Sequence, residues 1–201
     1  MLLHALITAS RANGPGLRAV VFFQGCTLGC PKCWNPTSHP FHGGGMKVDV
    51  VVHDVLRAHQ EHTLEGITFS GGEPMQQADS LLRLMNSLRR QVAGLSFGMF
   101  SGYAEYELAQ GQYWIWCDRS SEQHRKHLWE EIRAYLDFAI LGRFNAAQPS
   151  HLPLRTSRNQ ALRLFTKRYT PADFSEQLTE VSIHEDGRVE VTGFPTLGLP
   201  W

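Results

Sequence analysis

Ala19-Val20-Val21-Phe22-Phe23-Gln24-Gly25-Cys26-Thr27-Leu28-Gly29-Cys30-Pro31-Lys32-Cys33-Trp34-Asn35 holds the decisive pattern of this 201-residue chain. An apolar, β-prone run leads directly into three cysteines spaced C-x3-C-x2-C. Thiolates are the usual ligands of iron–sulfur clusters, and a cubane normally takes four of them. One compact loop here offers three, which would leave one iron open to bind a substrate or cofactor. An open iron is a reaction site rather than an electron relay. A structural zinc site is the competing reading, and it needs a fourth thiolate or imidazole, usually in two clipped pairs. Cys117, His39 and His42 are available for that role, but none forms a second C-x2-C pair. A disulfide framework does not suit four cysteines in a chain of this length with no secretory signal.

Outward from this loop the chain alternates strand-like and helix-like segments. Residues 2–8 and 18–24 are apolar runs on either side of the Asn13-Gly14-Pro15-Gly16 turn. Residues 48–62 place Val51, Val52, Val55 and Leu56 at helical spacing, with Asp49 as the expected N-cap. A strand is predicted over 67–70, a helix over 76–92 and a strand over 95–101. A polar amphipathic helix follows over 122–135, then short strands over 138–141 and 162–165. The runs 181–184 and 189–191 flank Asp186-Gly187 and read as a C-terminal β-hairpin. Gly43-Gly44-Gly45 is a flexible loop. Strands alternating with helices imply βαβ units and a parallel sheet. The length is too short for eight full units, so the expected α/β fold is an open or partial β/α barrel. A single domain spans 1–201 in this reading, with its core at about 10–168 and an extension over 169–201. It contains no internal repeat or convincing linker.

The second motif is Gly66-Ile67-Thr68-Phe69-Ser70-Gly71-Gly72-Glu73-Pro74. Two glycines at a strand end let a backbone or ligand approach closely, and Glu73 offers charge-assisted acceptors for a ligand ammonium. A turn before a helix uses the same residues, so this motif is weak alone and gains force from the cysteine loop. Ligands of parallel β/α sheets collect at the carboxyl ends of strands. The cysteine loop, Gly71-Gly72-Glu73 and Ser101-Gly102-Tyr103 are therefore expected on one face.

Nineteen basic and nineteen acidic residues balance to zero net charge, which argues against an electrostatic nucleic-acid binder. Met1-Leu2-Leu3-His4-Ala5-Leu6-Ile7-Thr8 lacks a positive n-region and reads as a first strand rather than a leader. No apolar run approaches a membrane span, and reduced thiols with an oxygen-sensitive cluster fit the cytoplasm.

Taken together, the cysteine loop and the strand-end Gly-Gly-Glu resemble the radical S-adenosylmethionine superfamily. The stretch Asn13-Gly14-Pro15-Gly16-Leu17-Arg18 leading to Cys26 resembles the opening of glycyl-radical-enzyme activating enzymes. Phe100-Ser101-Gly102-Tyr103 and Pro153-Leu154-Arg155-Thr156-Ser157-Arg158-Asn159-Gln160 are similar to elements of anaerobic ribonucleotide reductase activators. The resemblance covers roughly residues 10–165. It implies one [4Fe–4S] cluster on Cys26, Cys30 and Cys33, whose open iron chelates S-adenosylmethionine. Gly71, Gly72, Glu73 and Pro74 would then form the methionyl side of the site, with Ser101 as a further polar contact and Trp34 at the adenine side. One electron would cleave the cofactor to a 5′-deoxyadenosyl radical, which abstracts hydrogen from a glycine Cα of a partner glycyl radical enzyme. Only Cys117 remains for further clusters, so a flavodoxin or ferredoxin would supply the electron.

Two readings compete with the activase. One is a radical enzyme acting on a small molecule, resembling 7-carboxy-7-deazaguanine synthase, which would show a closed polar pocket. The other is a zinc-binding interaction module. An activase instead needs a mouth wide enough for a peptide loop, with no side chain sealing it. Lys32 departs from the aromatic residue many superfamily members carry before the third cysteine, although ribonucleotide reductase activators often have glycine there. Thr156 and Arg158 replace small residues of the later element. Several conspicuous residues have plain structural readings. Cys117 suits a buried small hydrophobe, and Trp34 a cap on the core. Asp137 resembles an acid of the activators and equally suits a cap on the sheet. Arg155, Arg158, Arg163, Lys167 and Arg168 suit a solvated surface or a protein partner.

Overall fold

The computed structural model describes residues 1–43, 45–116, 119–174, 178–183, 187 and 189–194. Gly44, Cys117, His184 and Asp186, which carry the expected loop, buried thiol and hairpin turn, lie outside these residues. In chain order the elements are β1 (Leu3–Ser10), β2 (Arg18–Phe23), α1 (Val48–His62), β3 (Gly66–Gly71), α2 (Ala78–Gln91) and β4 (Ser96–Ser101). They continue with α3 (Glu105–Ala109), α4 (Glu122–Tyr135), β5 (Phe138–Leu141), β6 (Ala161–Leu164), β7 (Thr179–Ile183) and β8 (Val189–Gly193).

Strands β1 to β6 form one sheet in sequential order, and β7 pairs only with β8 among the described residues. The β2–β3, β3–β4 and β4–β5 pairs are parallel, each connected through helical crossovers. The parallel sheet expected from the alternating strands and helices is thus present at its centre, while both edge strands, β1 and β6, are antiparallel to their neighbours. The cause at β1 is connection length. A parallel crossover takes a dozen or more residues, whereas residues 11–17 alone separate β1 from β2. The edges do not meet, so the barrel is open, as expected.

The two faces of the sheet do different work. Ala19, Val21 and Phe23 of β2, Ile67 and Phe69 of β3, and Phe97 and Met99 of β4 pack beneath the helices. There they meet Val51 and Val55 of α1, Leu81, Leu84 and Leu88 of α2, and Leu128 and Ile132 of α4. The opposite face carries Arg18 at the amino end of β2, fully buried. Its guanidinium donates to Thr68 Oγ1 at 2.8 Å and to the carbonyls of Ile67 and Ser96 at 2.9 and 3.2 Å, and sits 5.1 Å over the Phe138 ring. Arg18 thus ties the starts of β2, β3 and β4 together and closes that end of the inner face. The carboxyl end is left to the loops.

Local details correct three expectations. Lys47, not Asp49, is the N-cap of α1, and Asp49 lies in its first turn, where a carboxylate still complements the helix dipole. The helix expected from Gln76 begins at Ala78, because Pro74–Gln77 form a 3-10 turn whose Met75 N–H is accepted by the Glu73 carboxylate at 2.9 Å. Helix α3 was not expected; five residues are too few to show periodicity, and Glu107 anchors it by accepting from the Ala104 N–H at 2.8 Å.

Candidate cofactor site

The cavity at the carboxyl ends of β2, β3 and β4 is lined by Cys26, Cys30 and Cys33, by Gly71, Gly72 and Glu73, and by Ser101 and Trp34. Pro74 is buried but does not line it. The floor comes from the sheet's inner face: Phe22 of β2 is in register with Ser70 of β3, and Phe100 of β4 with Ile140 of β5, and all four line the cavity.

Backbone geometry explains the two glycines. Gly71 has φ +99°, and a Cβ there would lie 2.4 Å from Phe23 N; a Cβ on Gly72 would lie 2.4 Å from Gly25 O. The Gly72 N–H donates to Phe23 O at 2.7 Å and the Glu73 N–H to Gly25 O at 2.9 Å. The β2–β3 ladder therefore continues past both strand ends and seats the cysteine loop directly on the Gly71-Gly72-Glu73 turn.

The three thiols are free and half-buried. Burial pushes the Cys26 thiol up to about 12, with the Glu73 carboxyl adding to the effect, and burial raises Cys33 as well. Thiols in such a setting become thiolates when a cationic metal centre coordinates them. Among the described residues no three His, Cys, Asp or Glu side chains gather around one point fit for a single metal ion. A cubane spreads its cysteine ligands over different irons, so three thiols on one cavity wall suit a cluster. His39 lines the cavity and its carbonyl accepts the Cys26 N–H at 2.8 Å, whereas His42 is exposed and does not line it.

Glu73 is held at both carboxylate oxygens. It is 1% exposed, and burial raises its carboxyl to about 7 against the lowering pull of its hydrogen bonds. Oε1 accepts the Met75 N–H at 2.9 Å and the Ser101 hydroxyl at 2.8 Å, and Oε2 accepts the Gly102 N–H at 2.7 Å. A carboxylate has about four lone-pair sites. One on Oε2 is left for a ligand.

Two groups of lining residues were not singled out from sequence as cavity residues. The first is the hairpin: Val191, Thr192 and Gly193 of β8, with Phe194, line the cavity. Asn13 Nδ2 donates to Thr192 Oγ1 at 2.9 Å, the Arg11 N–H donates to Glu180 Oε1 at 2.8 Å, and Phe194 packs edge-on against Phe100. Side chains of the hairpin segment therefore form part of the cavity wall. Trp34 contacts Phe144 and Phe194 at centroid distances of 6.2 and 6.3 Å, so it joins this aromatic wall. The second group is Thr156 and Gln160, where Gln160 Oε1 accepts the Thr156 N–H at 2.8 Å and its Nε2 donates to Gly142 O at 3.2 Å.

Other candidates lie elsewhere. Asp137 accepts the Phe97 N–H at 3.1 Å and the Thr166 hydroxyl at 2.7 Å, which caps the amino end of the sheet away from the cavity. Asn159 is exposed and donates to Arg143 O at 2.7 Å. Arg163 pairs with Glu105 at 2.6 Å and Arg168 with Glu65 at 2.7 Å.

Residues 12–163 match the family described as a 4Fe-4S single cluster domain, and the chain belongs to that family. The fold and site accordingly define a single-cluster radical S-adenosylmethionine protein. Its relatives are activating enzymes. The chain is 29% identical to the anaerobic ribonucleoside-triphosphate reductase-activating protein of Haemophilus influenzae, over 76% of this chain and 91% of that protein. It is 32% identical to the pyruvate formate-lyase-activating enzyme of Clostridium pasteurianum, over 52% of this chain and 46% of that protein. For the pyruvate formate-lyase-activating enzyme of Staphylococcus aureus the figures are 25%, 83% and 62%. The chain thus spans about half of the Clostridium enzyme. Among solved structures, QueE from Escherichia coli matches 50% of this chain and 51% of its own, with 18% identity and a TM-score of 0.36.

Proposed function

We propose that this protein is an activase that uses one [4Fe–4S] cluster and S-adenosylmethionine to take a hydrogen from a glycine Cα of a partner glycyl radical enzyme, most directly an anaerobic ribonucleotide reductase. The observation that carries the reading is the convergence of Cys26, Cys30 and Cys33 with Gly71, Gly72, Glu73 and Ser101 on one cavity. When bound, the cluster and S-adenosylmethionine would supply the one-electron cleavage that yields a hydrogen-abstracting 5′-deoxyadenosyl radical. The chain's own part is holding and shielding. Cys26, Cys30 and Cys33 would ligate the cluster, and the remaining Glu73 Oε2 site, beside the Gly71-Gly72 backbone, would accept the methionyl ammonium. Ser101 would keep Glu73 oriented, and the Trp34, Phe144 and Phe194 wall would exclude water around the adenine. The Haemophilus influenzae relative, matched over 76% of this chain and 91% of its own length, is a ribonucleotide reductase activator by name, which supports the choice of partner. A flavodoxin or ferredoxin would deliver the electron in the cytoplasm. Among the described residues no helix is long and apolar enough to cross a membrane.

The hairpin favours a second reading, a radical enzyme acting on a small molecule, because Val191, Thr192 and Gly193 of β8 add to the cavity wall. The sign of that reading would be a closed polar pocket, whereas here Phe22, Phe100, Ile140, Phe144, Leu154 and Phe194 share the lining with polar groups such as Asn13, Ser70, Thr156 and Gln160, a mixed wall that does not favour it over the activase. Anaerobic assay of 5′-deoxyadenosine separates the two. The activase forms it in proportion to added anaerobic ribonucleotide reductase; formation that ignores the reductase and requires a small molecule would favour the second reading.

A further inference from the structure

Gln76 does not line the cavity, yet it joins three of its supporting segments. It is fully buried in the 3-10 turn that follows Glu73. Its Oε1 accepts the backbone N–H of Thr27 at 2.9 Å, and its Nε2 donates to Thr27 Oγ1 at 2.7 Å and to Tyr103 Oη at 2.8 Å. A backbone N–H can only donate, so the Thr27 bond fixes which end of the amide is oxygen, and both Nε2 protons are then used. Tyr103 is held in turn, its hydroxyl accepting the Trp114 N–H at 3.2 Å. The Gln76 carbonyl takes the Trp116 N–H at 2.8 Å.

Thr27 directly follows Cys26, whose own N–H is held by His39 O at 2.8 Å and whose preceding carbonyl, on Gly25, is held by the Glu73 N–H at 2.9 Å. The backbone on the far side of Cys26 has its fixed point at Gln76. Cys30 and Cys33, by contrast, are linked within their own turn, Cys33 N–H to Cys30 O at 3.1 Å. Gln76 thus clasps the residue next to Cys26 at two points, from a site 49 positions away in sequence.

We propose that Gln76 is a positioning residue for the cluster: by clasping Thr27 and bracing on Tyr103 it holds the Cys26 thiolate in one orientation toward its iron. This rests on the cluster reading above and extends it to a residue outside the cavity. A merely structural Gln76 would change stability and nothing else.

The test uses the full chain, reconstituted anaerobically with iron and sulfide. It compares iron content, the EPR line shape of the reduced cluster, and the rate of bleaching by an iron chelator. Gln76→Leu should retain the wild-type iron count with a broadened EPR signal. It should bleach roughly tenfold faster, the order expected when a buried hydrogen bond is lost. Thr27→Val, at an exposed residue, removes one point of the clasp and should bleach roughly two- to fivefold faster on the same grounds; it serves if Gln76→Leu fails to fold. Leu84→Ala is the control, because Leu84 is fully buried in the helix-side core and not on the cavity wall. It should lower the melting temperature while bleaching like wild type. Wild-type line shape and bleaching in both Gln76→Leu and Thr27→Val would overturn the proposal, as would bleaching in Leu84→Ala as fast as in Gln76→Leu at equal melting temperature. A wild-type protein that takes up no iron would overturn the cluster reading itself, a distinguishable result.

Discussion

The Ser101 hydroxyl donates to Glu73 Oε1 at 2.8 Å, joining the carboxyl end of β4 to the loop after β3 across 28 positions of sequence. With the Met75 and Gly102 N–H groups it makes Glu73 both a structural tie and the acidic face of the cavity. Glu73→Ala would strip three donors, two of them buried, of their acceptor and confound folding with binding. Glu73→Gln retains an acceptor oxygen and removes the charge. It should fold, keep its cluster, and lose roughly 1.5–3 kcal/mol of S-adenosylmethionine affinity, the worth of a hydrogen bond to a charged group. Calorimetric titration of the reconstituted variant measures this, and wild-type affinity would rule out the ammonium contact.

The same carboxyl predicts a pH dependence. Its ordinary value is 4.5 and burial raises it to about 7, so the folded chain holds that proton more tightly than the unfolded chain. Its stabilising contribution is full below about 4.5 and is lost as pH rises through about 7. Denaturant melts of cluster-free protein should show wild type losing stability relative to Glu73→Gln across that window. A cationic ammonium favours the carboxylate, so cofactor affinity should move the opposite way, strengthening as pH rises through the window. A flat difference between the two proteins would contradict the buried, raised carboxyl.

Lys32 occupies the left-handed region with φ 58°, a conformation that costs a non-glycine residue roughly 1–2 kcal/mol. It is exposed, between two of the cysteines. Lys32→Gly should stabilise the protein by about 1 kcal/mol or less, because glycine's greater freedom in the unfolded chain offsets part of the relief. Chemical denaturation of both forms checks this.

Hairpin closure is the fourth consequence. Phe194 lies edge-on to Phe100 and close to Trp34, and Thr192 is latched by Asn13. Phe194→Ala should speed S-adenosylmethionine dissociation several-fold while the iron count stays at wild-type level. Stopped-flow displacement reads the rate directly, and an unchanged rate would mean that the hairpin does not cover the bound cofactor.

Much of this was legible in the chain because local pattern and tertiary role coincide. Helix α4 and strand β5 lie where the periodicity put them, since Ser121 caps the one by accepting the His124 N–H and a continuous buried run makes the other. The direction of β1 could have been read from the short connection over 11–17, but its apolar pattern alone carries no sense of direction. What escaped were contacts between distant segments. Thr192 meets Asn13 across 179 positions and Glu180 meets Arg11 across 169, and nothing local in either segment announces the pairing. Glu73 was legible as an acid at a strand end. Its second role, as acceptor for three protein donors, depends on loops whose arrival only the folded chain reveals.

The most direct test of the activase reading is the EPR spectrum of a target protein. Reconstituted, reduced enzyme would be mixed anaerobically with S-adenosylmethionine and an anaerobic ribonucleotide reductase, then frozen. The account predicts a glycyl radical doublet on the reductase, absent without S-adenosylmethionine and absent with Cys30→Ala. Turnover of S-adenosylmethionine to 5′-deoxyadenosine with no protein radical on the reductase, or on any other glycyl radical enzyme offered, would contradict it.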